Sequence, residues 1–237
     1  MTQRSIFDEQ VAAAVKNIHV HHGDWREVEA SWPRPYALIS DPPFGIDYRS
    51  NFKGNNQHTK RFNYRHTPDK IQGDEDTRER DEILELGHWQ LAAIFGPGGV
   101  KLLRVPPWGS PRALLTLDKG AGAGMGDITL PWKPNTGSVA IYGQGWKGHR
   151  DSSVLRGRVL AFSRDSINNG RRHPHEKPLN VVYDIVQKVP KDIPVVDPFL
   201  GSGTTAEACA LLGRTFYGAE IDPQYFDTIS QSLSSLR

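Results

Sequence analysis

Two segments of the sequence join an acidic residue to a turn of restricted geometry, and both have the residue types that can hold a reacting group. The first is Asp41-Pro42-Pro43-Phe44, directly after the apolar run from Tyr36 to Ser40. Because proline has no backbone N–H, this turn offers hydrogen-bond acceptors, the Asp41 carboxylate and nearby carbonyl oxygens, beside an aromatic ring. Such a set suits an amino group on a flat ring: the carboxylate and the Pro42 carbonyl would each accept one N–H, and Phe44 would stack on the ring. By itself, a turn of this kind is usually structural.

The second segment, Ile193 to Asp222, has the pattern of a strand, a glycine-rich loop, a helix and a second strand. The apolar run at its start has the length and β-branched content of a buried strand. Gly201 and Gly203 let the backbone turn sharply and approach a ligand closely. Thr204 and Thr205 open the helix, where free N–H groups point outward. This order predicts half of an open parallel α/β sheet, in which ligands bind outside the carboxyl ends of the strands.

Two acidic residues at the ends of these strands restrict the class of ligand that can bind. Asp197 follows the first strand and suits an ammonium group better than a phosphate, and Glu220 ends the second, at the position that takes ribose hydroxyls in nucleotide-binding sheets. The dinucleotide pattern G-x-G-x-x-G is absent, because Ala206 stands at the third glycine position, and the phosphate-loop pattern is absent too. A nucleoside that carries an amino acid, S-adenosylmethionine, fits these acids better than NAD or ATP. Asp222, which precedes Pro223, is predicted to cap the last helix.

Length and composition predict one soluble α/β domain over residues 1–237. The chain has 37% apolar residues, a mean hydropathy of −0.53 and a single cysteine, Cys209, which is expected to fill the core of a cytoplasmic protein. No apolar run has the length of a membrane span, and the first residues lack the apolar core of a signal peptide. The net charge is only +2, but residues 49–70 and 147–177 are rich in Lys and Arg. These stretches indicate either a polyanionic partner or solvated loops.

Hydrophobic patterning divides the rest of the chain into elements. It predicts helices over Asp81 to Phe95, Pro111 to Leu117 and Leu179 to Val189, and a strand over Ser138 to Tyr142 that belongs to an antiparallel end of the sheet. Residues 46–73 are polar, basic and without periodicity. A long segment of this kind in a compact domain is usually functional or disordered.

Asp41-Pro42-Pro43-Phe44, together with the run from Asp197 to Thr205, resembles the amino-group (N6-adenine/N4-cytosine) DNA methyltransferases. The catalytic motif precedes the cofactor motif in the chain, which is similar to the β-class order of that family. The run His173-Pro174-His175-Glu176-Lys177-Pro178 is similar to the family's His-x-x-x-Lys-Pro segment. The resemblance implies a Rossmann-like fold for S-adenosylmethionine-dependent methyltransfer, with a mostly parallel sheet, an antiparallel end and a circularly permuted motif order.

The resemblance also implies roles for individual residues. The catalytic set is Asp41, Pro42, Pro43 and Phe44. The cofactor set is Asp197, Phe199, Gly201, Gly203, Thr204, Thr205, Glu220, Asp222, Asp24, His173 and Lys177. DNA would be contacted by Arg49, Lys53, Lys60, Arg61 and Arg65 in the 46–73 loop and by Lys147 and Arg150 in a short target-recognition region of about 143–172. Trp132 resembles part of a Trp-x-Lys segment near the target base, and a core tryptophan is the alternative.

The expected activity is site-specific methyl transfer from S-adenosylmethionine to N6 of a flipped adenine in DNA, with no metal. Asp at position 41 resembles the adenine enzymes more than the cytosine-N4 enzymes, but N4-cytosine transfer stays open. RNA as the substrate, or a non-catalytic nucleic-acid-binding subunit that keeps the fold, are further alternatives. The sequence does not reveal the recognised bases, a homodimer or a restriction partner.

Overall fold

The computed structural model describes residues 15–43, 45, 75–97, 109–120, 131–132, 135–157 and 176–235. In this part of the chain the strands are β1 (Ile18–His22), β2 (Tyr36–Ser40), β3 (Trp89–Pro97), β4 (Ala113–Asp118), β5 (Thr136–Gly143), β6 (Val154–Arg156), β7 (Val195–Asp197) and β8 (Phe216–Glu220). The helices are α1 (Arg78–Glu85), α2 (Leu179–Gln187), α3 (Thr204–Leu211) and α4 (Pro223–Ser235), with short 3-10 helices at Trp25–Glu27 and Glu29–Ser31.

The eight described strands form one mixed sheet in the order β1-β8-β7-β2-β3-β5-β4-β6. The first five strands in this order, β1 to β3, are parallel to one another, whereas β5 runs antiparallel to both of its neighbours, β3 and β4. The predicted mostly parallel sheet with an antiparallel end is therefore confirmed. From β2 the chain moves outward to β3, and from β7 it moves outward in the other direction to β8. The carboxyl ends of β2 and β7 thus flank the point where strand order reverses, which is where open α/β sheets bind ligands.

The core has one layer of side chains on each face of the sheet. Alternate residues of β2 point to opposite faces, so Ala37 and Ile39 join the core under α2, α3 and α4, while Tyr36 and Leu38 join the core under α1. All five residues of β2 are buried. A strand that is covered on both faces is apolar throughout rather than alternating, which is why this run was recognisable from the sequence.

The helix predicted over Asp81 to Phe95 is wrong, because this stretch contains the end of α1 and most of β3. Gly87, at φ +64°, ends the helix with a backbone conformation that other residues rarely adopt. From Leu91 to Phe95 consecutive residues are buried alternately in the two core layers, which a strand between two helical layers achieves and a surface helix does not. Alanine has the highest helix propensity, but such propensities amount to less than about 1 kcal/mol per residue, and burial overrides them here.

The helix predicted over Pro111 to Leu117 is also wrong, since Ala113–Asp118 is strand β4. Its backbone pairs with β5 on one side and β6 on the other. That pairing satisfies the backbone of β5, which would otherwise form an edge of the sheet. The predicted strand at Ser138 to Tyr142 and the predicted helix at Leu179 to Val189 are confirmed, with each end within two residues of its predicted position. No helix in the described part of the chain is long and apolar enough to cross a membrane.

Candidate active site

A direct hydrogen bond joins β2, which leads into the predicted catalytic turn, to β7, which leads into the predicted cofactor loop. Ser40, the last residue of β2, donates its hydroxyl to Asp197 Oδ1 at 2.6 Å, where β7 ends. Thr205 donates to the other oxygen of Asp197 at 2.8 Å, and the backbone N–H of Phe199 donates to Oδ1 at 3.1 Å. Asp197 therefore holds together the ends of two neighbouring strands and the first turn of α3.

Asp197 is almost fully enclosed, with 3% of its surface exposed. Burial raises the pKa of its carboxyl to about 6, although the hydrogen bonds from Ser40 and Thr205 oppose the shift. A carboxylate has about four lone-pair positions, and the three donors use three of them. Among the described residues, one acceptor position on Oδ2 therefore has no donor.

Glu220 fixes the glycine-rich loop from the neighbouring strand end. Its Oε2 accepts the Gly201 N–H at 2.6 Å, and its Oε1 accepts the Asp222 N–H at 2.9 Å. Burial raises the pKa of Glu220 to about 7, against the effect of these two hydrogen bonds. Asp222 itself caps α4 as predicted, because its Oδ1 accepts the N–H groups of Gln224 and Tyr225.

Gly203 is the position in the glycine-rich loop that has no room for a side chain. It precedes α3 at φ +85°, and a Cβ built there would lie 2.9 Å from Cγ1 of the buried Ile229. Gly201 also has a positive φ, +54°, but nothing lies within 4 Å of a Cβ at that position. The loop is thus tight against α4 at Gly203 and open at Gly201, and only the open side can receive a ligand.

Asp41 lies at the carboxyl end of β2, with 25% of its side chain exposed. Its Oδ2 forms an ion pair with the Lys177 ammonium, which lies 5.8 Å from the centre of the Phe95 ring. Its Oδ1 is buried and has no hydrogen-bond partner among the described residues. Because a buried acceptor without a partner costs free energy, this oxygen is poised to accept a donor from a bound molecule.

A network of charges surrounds Asp24, which follows β1. The backbone N–H of Gly23 donates to the Glu220 carbonyl at 3.0 Å, so Asp24 lies at the same edge as Glu220. Arg26 donates to both oxygens of Asp24 at 3.1 Å, to Glu79 at 3.1 Å and, from Nε, to Glu82 at 2.9 Å. These carboxylates raise the pKa of the Arg26 guanidinium above its usual value, Glu82 most strongly. Arg26 therefore links Asp24 to helix α1.

A comparison with protein families places the chain among known proteins. The profile described as DNA methylase, for the N6 and N4 amino-methylating enzymes, matches residues 59–231, well over half of the chain. The chain belongs to the N6/N4 DNA methylase family. The predicted amino-group methyltransferase family is therefore confirmed.

Curated relatives match this chain over short segments. The type II methyltransferase M.BglII of Bacillus subtilis is 47% identical over 64 residues, which are 26% of this chain and 18% of the relative. The type II methyltransferase M.HinfI of Haemophilus influenzae is 32% identical over 69 residues, 28% of this chain and 19% of the relative. The chain thus spans only about a fifth of the length of these relatives.

Solved structures share the fold over almost the whole chain. The M1.HpyAVI–SAM complex superposes with a TM-score of 0.58 at 18% identity, covering 91% of this chain and 99% of the other. PvuII DNA methyltransferase, described as cytosine-N4-specific, superposes with a TM-score of 0.60 at 15% identity, covering 92% and 90%. At these identities the likeness demonstrates the Rossmann-like methyltransferase fold that the sequence predicted.

The structure brings most of the predicted site residues to one edge of the sheet. Asp24, Asp41, Asp197, Glu220 and the glycine-rich loop all lie where parallel strands end. Lys177 also lies there, but it contacts Asp41 of the predicted catalytic set rather than a residue of the predicted cofactor set. Phe44, His173 and five predicted DNA-contacting residues, Arg49, Lys53, Lys60, Arg61 and Arg65, lie outside the described residues. Gly45 and Asp76, which lie on either side of residues 46–73 in the sequence, are both described. A Cβ on Gly45 would lie 2.7 Å from the backbone of Asp76, so the chain segments before and after residues 46–73 meet beside the predicted catalytic turn.

Lys147 and Arg150 are not brought to this site. Strand β5 ends at Gly143, which pairs with Leu91 near the start of the antiparallel β3, so the following loop lies at the opposite edge of the sheet. Lys188 holds this loop there, because its backbone carbonyl accepts the Lys147 N–H at 2.7 Å and its ammonium donates to the His149 carbonyl at 2.9 Å. Contact of Lys147 and Arg150 with DNA stays a prediction.

Two residues of the site, Ser40 and Arg26, have no predicted role in the sequence analysis. For Ser40 the available signal is a hydroxyl next to the Asp-Pro-Pro turn. Arg26 has no local signal, since its partners Glu79 and Glu82 are more than fifty residues away. Trp132 is 78% exposed, so its interpretation as a core residue is wrong.

Proposed function

We propose that this protein transfers a methyl group from S-adenosylmethionine to the exocyclic amino group of a base in DNA, and that the base is adenine, methylated at N6. Membership of the N6/N4 DNA methylase family supports the amino-group reaction. The observation that carries the proposal is the buried Oδ1 of Asp41, an acceptor without a partner among the described residues. It lies next to Ser40, which is bonded to the cofactor strand, so acceptor and cofactor site are adjacent.

The residues at the strand ends fit S-adenosylmethionine. Asp197 keeps one acceptor position on Oδ2, which suits the ammonium of the methionine part. Glu220 uses one lone pair on each oxygen for backbone N–H groups and keeps two for the two ribose hydroxyls. The open side of Gly201 leaves room for the methionine chain. When bound, S-adenosylmethionine supplies an activated methyl group on a sulfonium.

Asp41 supplies the acceptor that the target amino group needs. The amino nitrogen of adenine is conjugated with its ring and is therefore a poor nucleophile. An N–H bonded to Asp41 Oδ1 favours a tetrahedral nitrogen whose lone pair is free to attack. The positive charge that develops on nitrogen is stabilised by the carboxylate, an effect typically worth about 3 kcal/mol. Since the amino group is hidden inside a duplex, the base must be flipped out to reach Asp41.

The proposal is tested by incubating the protein with methyl-labelled S-adenosylmethionine and duplex DNA of mixed sequence, then digesting the DNA to nucleosides for mass analysis. Labelled N6-methyldeoxyadenosine is the expected product. Labelled N4-methyldeoxycytidine would be consistent with the same mechanism but would overturn the choice of adenine. This product is measured as well because the cytosine-N4-specific PvuII enzyme shares the fold. No label in any nucleoside, with cofactor binding measured in parallel, would reject DNA methylation.

The ionisation of Glu220 is expected to make cofactor binding depend on pH. Ribose hydroxyls donate to the ionised carboxylate, and the pKa of Glu220 is about 7. The affinity for S-adenosylmethionine should therefore rise roughly five- to tenfold between about pH 6 and about pH 7.5, as the ionised fraction rises. Isothermal titration calorimetry across this range measures the effect.

Glu220→Gln provides the control for that prediction, because glutamine does not titrate. It should bind the cofactor more weakly and with a flatter pH profile. The raised pKa also predicts that the unliganded wild-type protein loses stability as pH rises from about 4.5 to about 7, because the native state holds the proton longer than the unfolded chain. A wild-type affinity that stays constant over the range would contradict the role assigned to Glu220.

Arg26→Gln is expected to weaken cofactor binding without slowing the reaction at saturating cofactor. Arg26 holds both oxygens of Asp24, which is proposed to lie near the cofactor adenine. Because the network is partly exposed, the loss should be modest, up to roughly fivefold in KM for S-adenosylmethionine. Steady-state kinetics separates KM from kcat, and Arg78→Gln, which removes a cation whose side chain is 86% exposed, is the control. An equal fall in kcat would show that Arg26 acts on the chemical step instead.

A further inference from the structure

Lys119 follows β4 directly and lies at the same edge of the sheet as the catalytic Asp41. Its backbone N–H donates to the Asn135 carbonyl at 2.8 Å, which fixes its Cα beside the start of β5. Strands β5 and β3 separate it from β2, where Asp41 lies. A lysine side chain can extend across β5 in the direction of Asp41 only if no side chain projects from β5 between them.

Gly137 of β5 has no side chain and so leaves an opening between β4 and β3. It pairs with Leu117 of β4 on one side and with Pro97 of β3 on the other. The position that a Cβ would take on Gly137 lies 3.2 Å from Lys119 Cε and 3.4 Å from the Gly96 carbonyl oxygen of β3. The end of the Lys119 side chain therefore passes over Gly137, at the place where any other residue would project, and is directed towards β3.

A second ammonium lies over β3, since Lys177 sits 5.8 Å from the Phe95 ring centre. Lys119 and Lys177 thus converge on the side of Asp41 that faces away from the cofactor strands. Burial lowers the pKa of Lys119, the charge of Lys177 lowers it further, and Asp41 opposes both. Lys177 is ion-paired with Asp41, and the nearest acid in sequence, Asp118, accepts the Gly120 N–H at 2.9 Å. Within the described residues no acceptor is hydrogen-bonded to the Lys119 ammonium.

We propose that Lys119 is a substrate-binding residue that reaches through the opening at Gly137 and donates a hydrogen bond to the target nucleotide. This inference rests on the proposed function, because the target side of Asp41 is where a flipped base must lie. The sheet order separates the two substrates: β7, β8 and β1 present the cofactor residues, and β3, β5 and β4 lie on the other side of β2. An ammonium suits an oxygen or ring nitrogen acceptor, and the nucleotide offers both, a backbone phosphate and the edge of the base.

The test compares Lys119→Met, which keeps the aliphatic chain over Gly137, with Lys119→Arg and with Lys191→Met. Lys191 is an exposed lysine before β7, at the opposite edge, and controls for the loss of one charge. Lys119→Met is expected to raise KM for duplex DNA roughly tenfold, the loss of one charge-assisted hydrogen bond, with unchanged affinity for S-adenosylmethionine. Lys119→Arg should recover part of the loss, and Lys191→Met should match the wild type.

Gly137→Val distinguishes a direct contact from a general effect of charge. It keeps the lysine but fills the opening, so a direct contact predicts the same rise in KM, whereas a long-range effect predicts none. Thermal unfolding checks that each variant is folded, and if Gly137→Val fails to fold, the comparison of Lys119→Met with Lys119→Arg decides alone. Wild-type KM in Lys119→Met, or an equal rise in Lys191→Met, would overturn the inference.

Salt dependence identifies the acceptor. If Lys119 binds a phosphate, Lys119→Met should reduce the slope of log affinity against log salt by about 0.9, and all sequences should weaken alike. If Lys119 binds the edge of the base, the salt slope of Lys119→Met should equal that of the wild type, and its discrimination between target bases should fall. Both results support the inference. Wild-type protein that transfers no label to DNA would instead reject the proposed function, whatever the variants do.

Discussion

Replacing Asp41 by alanine is expected to slow methyl transfer by roughly a hundred- to a thousandfold, because the developing charge on the amino nitrogen loses its carboxylate. Cofactor affinity should remain, since Asp41 makes no described contact with the glycine-rich loop, and Ser40, not Asp41, bonds the cofactor strand. Single-turnover methylation with saturating substrates measures the chemical step, and calorimetry measures cofactor binding. Loss of cofactor binding in this variant would refute the division of roles between the two motifs.

Asp41→Asn provides a graded control for the same prediction. Asparagine carries no charge, and its single oxygen can accept either from the Lys177 ammonium or from the target amino group, because its NH2 group can only donate. Its activity should therefore lie between the wild type and Asp41→Ala. If both variants lost activity equally, the charge of Asp41 would matter and its acceptor would not.

Gly203→Val is expected to abolish cofactor binding and to lower the free energy of unfolding by about 2–5 kcal/mol. A side chain at φ +85° strains the backbone, typically by about 1–3 kcal/mol, and overpacking against a buried residue costs about as much again. The Cβ would lie 2.9 Å from Cγ1 of Ile229 and force apart the loop and α4. Chemical denaturation gives the stability change, and calorimetry gives the cofactor affinity.

Gly201→Ala is the matched control two residues away. Its backbone also has a positive φ, but no atom lies within 4 Å of the added Cβ. It should therefore lose only about 1 kcal/mol of stability, from backbone strain alone. Equal destabilisation of the two variants would show that the contact with Ile229 is unimportant.

The hydrogen bond between Ser40 and Asp197 brings together two predicted motifs that lie more than 150 residues apart in the sequence. Each motif follows a short buried strand, and the two strands are parallel neighbours at the point where strand order reverses. The proposed site therefore requires that the carboxyl ends of β2 and β7 are adjacent, and not that the motifs follow a particular order along the chain.

The failures of the sequence analysis have a common cause. The stretch from Asp81 to Phe95 and the stretch from Pro111 to Leu117 contain alanine and leucine runs that suit a helix, yet both contribute strands to the sheet. Whether these stretches form helices or strands depends on the residues that pack against them. Neither the second core layer nor the partner strand β5 can be recognised from a local sequence pattern. Lys147 and Arg150 show the same dependence on distant residues. Their basic stretch is visible in the sequence, but the edge of the sheet at which they lie depends on the direction of β5.

The sequence by itself determined the family, the parallel sheet and the two chemical motifs, because turn residues and buried strands leave local patterns that need no partner to be recognised. Only the tertiary structure decided that Ser40 binds Asp197, that Arg26 links Asp24 to α1, and that Lys119 passes over Gly137 towards Asp41. These are contacts between residues far apart in the chain. They depend on strand order and direction, which non-local hydrogen bonding and burial select together.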